Sequence, residues 1–247
     1  MQLPTASSIN KLSIIIPCYN EEKYVQRVLK RVFEVQLNYN LTKQILIVND
    51  GSLDATQFNI EKFIHENSGS NIQLLNHEIN TGKGSCIKTA LSKVTGQLVV
   101  IQDADLEYHP EDYNLLLQPI MEERADIVLG SRFKGDGPHR GPFILHKIVN
   151  KVYTFISNIL TGQRLTDIHT CYKMFKTEIL KSVRIEEQRF GFDPEMIAKL
   201  GRRKNIRICE VGISYEGRNF KQGKKINFMD GFRAFYCIVK YNFFSKK

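Results

Sequence analysis

In the first half of the chain, short aliphatic runs alternate with stretches whose apolar residues recur every three or four positions. Residues 12–17 (LSIIIP), 44–48 (QILIV), 72–75 (IQLL), 98–101 (LVVI) and 127–129 (IVL) are apolar at nearly every position. Successive side chains on a strand point to opposite faces, so a strand without polar alternation is covered on both. Between the runs, Tyr24, Val25, Val28, Leu29, Val32 and Phe33 follow helical spacing, and residues 54–66, 84–94 and 110–124 read as helices. This alternation predicts an α/β fold: a Rossmann-like, mostly parallel sheet with helices on both faces. After Gly130 the pattern loosens. Residues 134–142 read as a Gly- and Pro-rich loop, 143–160 and 192–203 as helices, and 170–175 and 206–213 as strands. A basic glycine-bearing loop at 217–225 precedes an amphipathic helix at 228–241. No linker separates independent units. Residues 1–247 are therefore expected to form one domain, with lobes 1–130 and 131–247.

With 247 residues, 42% hydrophobic and 25% charged, the chain can bury a core without staples, which excludes a disordered or low-complexity segment. Cys18, Cys86, Cys171, Cys209 and Cys237 are scattered without a C-x-x-C pair. That excludes a zinc site built from cysteine pairs and points to a reducing compartment. Residues 1–10 lack the basic start and apolar run of a secretory signal, and no stretch reaches the ~18 apolar residues of a membrane span. The expectation is a soluble or peripheral protein. Its net charge of +9 is localised: residues 202–247 hold 12 of the 35 Lys and Arg but only 3 of the 26 Asp and Glu. Such a basic end, interleaved with aromatics, fits an anionic partner.

In open α/β sheets ligands bind beyond the carboxyl ends of the strands. Three such ends carry polar clusters here: residues 17–22 (PCYNEE), 49–52 (NDGS) and 103–107 (DADLE). Asp103 and Asp105, directly after a strand, can address one hard divalent cation and leave it positions for waters and phosphate. The alternative is a turn in which Asp105 or Glu107 favours the next helix N-terminus. Asp50 is a candidate acceptor for a base or ribose, or an Asx-turn residue. Tyr19 is a candidate base-stacking aromatic, or a rim residue. A dinucleotide fingerprint fails because Ile87 stands where the third glycine belongs after Gly82 and Gly84, and a P-loop fails because His77 replaces its first glycine. The histidines share no metal-ligand spacing, and no G-x-S-x-G elbow is present.

Taken in order, 17–22 (PCYNEE), 48–52 (VNDGS), 80–84 (NTGKG), 103–105 (DAD), 130–132 (GSR) and 166–175 (TDIHTCYKMF) resemble a family 2 glycosyltransferase of the GT-A fold. Within it they are similar to the dolichyl- and polyprenyl-phosphate mannosyl- and glucosyltransferases. The resemblance implies that Pro17, Tyr19, Glu21, Val48 and Asp50 hold the nucleoside of a nucleotide-sugar donor, with Lys83 beside them. It implies that Asp103, Ala104 and Asp105 meet ribose, diphosphate and Mg2+ or Mn2+, with Glu107 as a further metal ligand. Arg132, Arg218 and Lys224 would bind donor or acceptor phosphates.

Many family 2 enzymes place a Glu-Asp pair near the acceptor as base; here the candidate is Asp167, with His169 nearby. A hydroxyl acceptor needs a base, whereas a phosphate monoester is already an anionic nucleophile. The expected activity is thus inverting, metal-dependent transfer of a hexose from a GDP-mannose- or UDP-glucose-type donor to a polyprenyl phosphate. A sugar or protein hydroxyl is the alternative acceptor. The basic aromatic end, with the 143–160 helix, is expected to rest peripherally on the anionic cytoplasmic face of a membrane. No nucleic-acid partner is expected: a nucleic-acid or scaffold role would use the basic end but leave the acidic strand ends unexplained.

Overall fold

The structure, a computed structural model, describes residues 3–134, 139–140, 144–218 and 228–244. The strands are β1 (Lys11–Cys18), β2 (Thr42–Asp50), β3 (Ile72–His77), β4 (Leu98–Ile101), β5 (Ile127–Ser131), β6 (His139–Arg140), β7 (Lys173–Lys176), β8 (Ile208–Gly212) and β9 (Tyr215–Glu216). Seven of them form one sheet in the order β3-β2-β1-β4-β7-β5-β8, and β6 pairs with β9 beside it. Every pairing in the large sheet is parallel except those of β7, which runs against both β4 and β5. The expected sheet is thus present, and β7 and β8 from the second half of the chain are built into it. All residues of β4 and β5 are buried, as continuous apolar runs covered on both faces require.

This topology decides where the chemistry falls. The parallel strands all end at one edge, so the residues after β1, β2, β4, β5 and β8 converge there. Because β7 is reversed, the segment leading into it, which includes Asp167 and Cys171, starts from the same edge.

The helices are α1 (Val25–Glu34), α2 (Thr56–Glu66), α3 (Lys83–Leu91), α4 (Tyr113–Met121), α5 (Ile144–Thr161), α6 (Thr177–Lys181), α7 (Phe192–Gly201) and α8 (Phe228–Phe243). On α1, Val25, Val28, Leu29 and Val32 form the buried stripe. At its C-terminus Lys43 Nζ donates to the carbonyls of Val32 (3.2 Å) and Val35 (2.7 Å), placing a cation at the negative end of the helix dipole. The 110–124 stretch, expected as one helix, is a 3-10 turn at Pro110–Asp112 followed by α4, which ends at Met121. Pro119 lies inside α4, and its carbonyl takes the N–H groups of Arg124 and Ala125 in the turn that follows.

α5 has an inverted amphipathic pattern. Its polar residues Asn150, Thr154, Ser157 and Thr161 are buried, while Ile148, Val152, Phe155 and Ile159 are 53, 49, 65 and 66% exposed. α8 packs against α5 and α7, with the rings of Tyr153 and Phe235 6.0 Å apart. It is held by buried Glu187, which accepts from Arg233 (Nε and Nη2, both 2.9 Å) and from the Tyr241 hydroxyl (2.7 Å). Met229, Phe232 and Phe243 remain exposed on α8.

The start of α3 is fixed by glycines. Gly82 has φ +99°, and a Cβ on Gly84 would sit 2.0 Å from the carbonyl oxygen of Glu187. Gly84→Ala should therefore destabilise the fold by about 3 kcal/mol, because backbone must move to admit the methyl. Gly69→Ala, where a Cβ meets nothing within 4 Å, should cost only the strain of its φ of +90°, about 1 kcal/mol. Urea unfolding midpoints of the two variants check this; equal losses would contradict it.

Candidate active site

Asp103 and Asp105 leave β4 at the sheet edge with buried Ala104 between them. Lys83, the first residue of α3, donates from Nζ to Asp103 Oδ1 at 2.6 Å. Asp105 Oδ1 accepts the Glu107 N–H (3.1 Å), the turn that the bare sequence allows, and Oδ2 accepts from Arg218 Nη2 at 2.7 Å. Arg218 also reaches both oxygens of Glu21, at 3.1 and 3.3 Å, and lies over the ring of Tyr24 at 5.4 Å. Glu107 accepts the Arg218 N–H on Oε1 (2.8 Å) and the Tyr215 hydroxyl on Oε2 (2.7 Å). Glu21 is thereby buried in the site, ahead of α1, which begins at Val25.

The carboxylates of Glu21, Asp105 and Glu107 pair with Arg218, and that of Asp103 pairs with Lys83. Burial, with Glu107 and Asp103 alongside, pushes the Asp105 carboxyl up in pKa against the pull of Arg218. Hard oxygen donors clustered and buried in this way fit a divalent cation such as Mg2+ or Mn2+.

On the neighbouring strand ends, Arg132 follows β5 and meets Asp167 in a bidentate pair, Nε to Oδ2 at 2.7 Å and Nη2 to Oδ1 at 2.8 Å. Asp167 is fully buried and also accepts the Arg132 N–H (3.2 Å) and Asn150 Nδ2 of α5 (2.9 Å). Burial opposes its charge, but Arg132 outweighs burial and holds the carboxyl below its usual range. Glu210 of β8 secures this loop by accepting the N–H groups of Thr166 and Asp167. Nearby His169 is pushed down to about 4 by burial.

Asp50 closes β2, and its two oxygens already accept several hydrogen bonds. Thr81 N–H (3.0 Å) and Oγ1 (2.8 Å) donate to Oδ1, where His77 Nδ1 also lies 2.7 Å away; Asn80 Nδ2 (2.9 Å) and Gly82 N–H (2.7 Å) donate to Oδ2. Burial raises its pKa, and these hydrogen bonds outweigh that and leave it lowered. Asp50 thus ties the 80–82 turn, and with it the start of α3 and Lys83, to the sheet. Asp50, His77 and Cys86 offer ligand atoms within 4.8 Å of one another. The carboxylate is already taken up, however, and burial, then Asp50, push the Cys86 thiol up, so the trio is a hydrogen-bonded core feature.

Pro17 and Val48 are register partners at the ends of β1 and β2, and Tyr19 is half-buried just beyond β1. The structure thus gathers Lys83 with Asp103, and Glu21, Asp105 and Glu107 on Arg218; Arg132 with Asp167 form the adjoining pair. Lys224 lies outside the described residues. Tyr215, Asn150 and Glu210 carry no signal in the sequence that marks them for the site, and Tyr24, there a helix residue, also belongs to it. What they share is position, at the carboxyl edge or on the helix behind it. Tyr215 joins the two halves of the site, since its ring lies 5.2 Å from the Arg132 guanidinium while its hydroxyl holds Glu107.

Residues 13–184 match the family model for glycosyl transferase family 2. The chain is 31% identical over 227 residues to dolichyl-phosphate beta-glucosyltransferase ALG5D of Trichomonas vaginalis, covering 85% of this chain and 68% of that protein. It is 29% identical to the UDP-N-acetylglucosamine–dolichyl-phosphate N-acetylglucosaminyltransferase of Methanococcus voltae, covering 92% and 94%. Against the dodecaprenyl-phosphate galacturonate synthase of Rhizobium johnstonii it is 25% identical and spans only 60% of that protein's length. Among solved structures, the glucosyl-3-phosphoglycerate synthase of Mycobacterium tuberculosis with Mn2+, UDP-glucose and phosphoglyceric acid superposes with a TM-score of 0.72 at 16% identity, covering 98% of this chain and 83% of that one. That likeness is one of fold, the GT-A arrangement. The sheet, its acidic carboxyl edge and the family match lead to one conclusion: the chain is a glycosyltransferase and belongs to glycosyl transferase family 2.

Proposed function

We propose that the chain transfers a hexose or related sugar from a nucleotide-sugar donor to a polyprenyl phosphate, with inversion, as one catalytic domain whose 1–130 lobe holds the donor and whose 131–247 lobe receives the acceptor. The observation that carries this reading is the engagement of Asp167. A carboxylate held ionised by a bidentate arginine is a poor base, and it serves instead to fix the guanidinium of Arg132. A hydroxyl acceptor would be left without a base at this position. A phosphate monoester needs none, and Arg132 is suited to receive it. The names of the relatives, which transfer to dolichyl and dodecaprenyl phosphates, support the same acceptor class.

In this reading Pro17, Tyr19 and Val48 border the nucleoside, Asp50 shapes its pocket through the 80–82 turn, and Lys83 orients Asp103 towards the ribose. Asp103, Asp105 and Glu107 would hold the divalent cation, which neutralises charge on the departing diphosphate. Arg218, and Lys224 beyond the described residues, would stabilise the same charge. The acceptor phosphate oxygen attacks the anomeric carbon from the face opposite the leaving group.

The test is transfer from a panel of nucleotide sugars to a short isoprenyl phosphate and to hydroxyl acceptors. The expected product is the isoprenyl phosphosugar alone. Its rate should rise from pH 5 to 7 as the phosphate monoester loses its second proton near about pH 6. Asp167→Asn should raise the acceptor KM by about tenfold, since it loosens Arg132. If Asp167 were the base, the variant would instead lose about 100-fold or more in kcat with KM unchanged, and hydroxyl acceptors would be glycosylated.

The outward apolar side of α5 and exposed Met229, Phe232 and Phe243 of α8, beside the basic C-terminal end, support peripheral docking on an anionic bilayer at its cytoplasmic face. Among the described residues no helix is long and apolar enough to cross a membrane. Replacing Phe155 and Ile159 together with Glu should reduce flotation with phosphatidylglycerol vesicles by about tenfold or more while leaving transfer to a soluble short-chain acceptor intact. Unchanged flotation would remove α5 from the docking surface.

A further inference from the structure

Tyr215 is 3% exposed and touches both halves of the site. Its hydroxyl donates to Glu107 Oε2 at 2.7 Å, and its ring lies 5.2 Å from the Arg132 guanidinium carbon. The ring is itself braced edge-on by Tyr108, with centroids 5.3 Å apart, and a β-bridge joins the two residues' backbones. The Glu216 N–H donates to the Glu107 carbonyl (2.9 Å), so the strand that carries Tyr215 is tied to the segment that carries Glu107.

We propose that Tyr215 is a positioning residue with two separable duties: its hydroxyl orients Glu107 for the divalent cation, and its ring orients Arg132 for the acceptor phosphate. The proposal rests on the roles given above to Glu107 and Arg132. The hydroxyl acts as an outer-shell partner that fixes a ligand carboxylate. Its donation to Oε2 and that of the Arg218 N–H to Oε1 together leave Glu107 little freedom to rotate. The ring acts through its π-face on a guanidinium that Asp167 also holds. One side chain thereby sets the spacing between the donor and acceptor charges, which in-line displacement requires to be held closely.

The two duties call for different variants. Tyr215→Phe keeps the ring and removes the hydroxyl. It should weaken Mn2+ binding, read by electron paramagnetic resonance, by about tenfold, and leave farnesyl monophosphate binding, read by calorimetry, within about twofold. Tyr215→Leu removes both and should weaken Mn2+ binding to the same extent and farnesyl phosphate binding by a further factor of about five. Unfolding midpoints establish that each variant is folded. Mn2+ affinity unchanged in Tyr215→Phe, or both affinities lost together in that variant, would overturn the proposal. Glu107→Gln and Arg132→Gln serve as controls on the underlying roles. If Glu107→Gln binds Mn2+ as the parent does, or Arg132→Gln binds farnesyl phosphate as the parent does, the assignment of those residues is what fails, whatever the Tyr215 variants do.

Discussion

The site depends on a cluster of carboxylates held at one edge of the sheet. Four carboxylates from the ends of β1 and β4 meet two cations, Lys83 and Arg218, in a partly buried cluster. Unpaired charge is expensive away from water, so the fold tolerates the cluster only because each carboxylate has a fixed donor. Carboxylates fixed in this way offer the hard oxygen donors that a divalent cation would use. Arg218 has a double character in this view: it steadies Glu21, Asp105 and Glu107, and it brings a guanidinium to where a diphosphate would lie.

The reversed strand β7 explains how a second charge system comes to lie beside the first. The turn leading into it delivers Asp167 to the same edge, where the end of β5 delivers Arg132. α5 stands behind the pair and contributes Asn150 from its buried polar side, while its apolar residues face outward. One helix thus links the outer apolar surface to the residue that orients Arg132. The arrangement suits an acceptor whose tail is lipid and whose head is phosphate.

Much of the sheet was legible because its strands are short, continuous apolar runs bounded by turn residues, a local signal. The acidic strand ends were legible for the same reason. The direction of β7 was not, because nothing in 170–175 records whether its partners lie parallel to it. The use of Asp50 was also hidden: its hydrogen-bond partners lie about thirty residues away, at the end of β3 and in the turn after it, and only the paired strands bring them together. Arg218 and Glu21 are 197 residues apart in sequence, so their ion pair is a product of topology alone. Helical periodicity marked residues 143–160 as a helix but could not tell which side faces inward. On α5 the polar side does, and a reader expecting the usual rule would orient it backwards.

The most direct test of this account is a calorimetric titration of the protein with Mn2+, set against Asp105→Asn. The account predicts one bound cation per chain and a loss of affinity of about 100-fold in the variant, because a ligand oxygen and a charge are removed from the cluster at once. Equal Mn2+ affinity in the two proteins would contradict it.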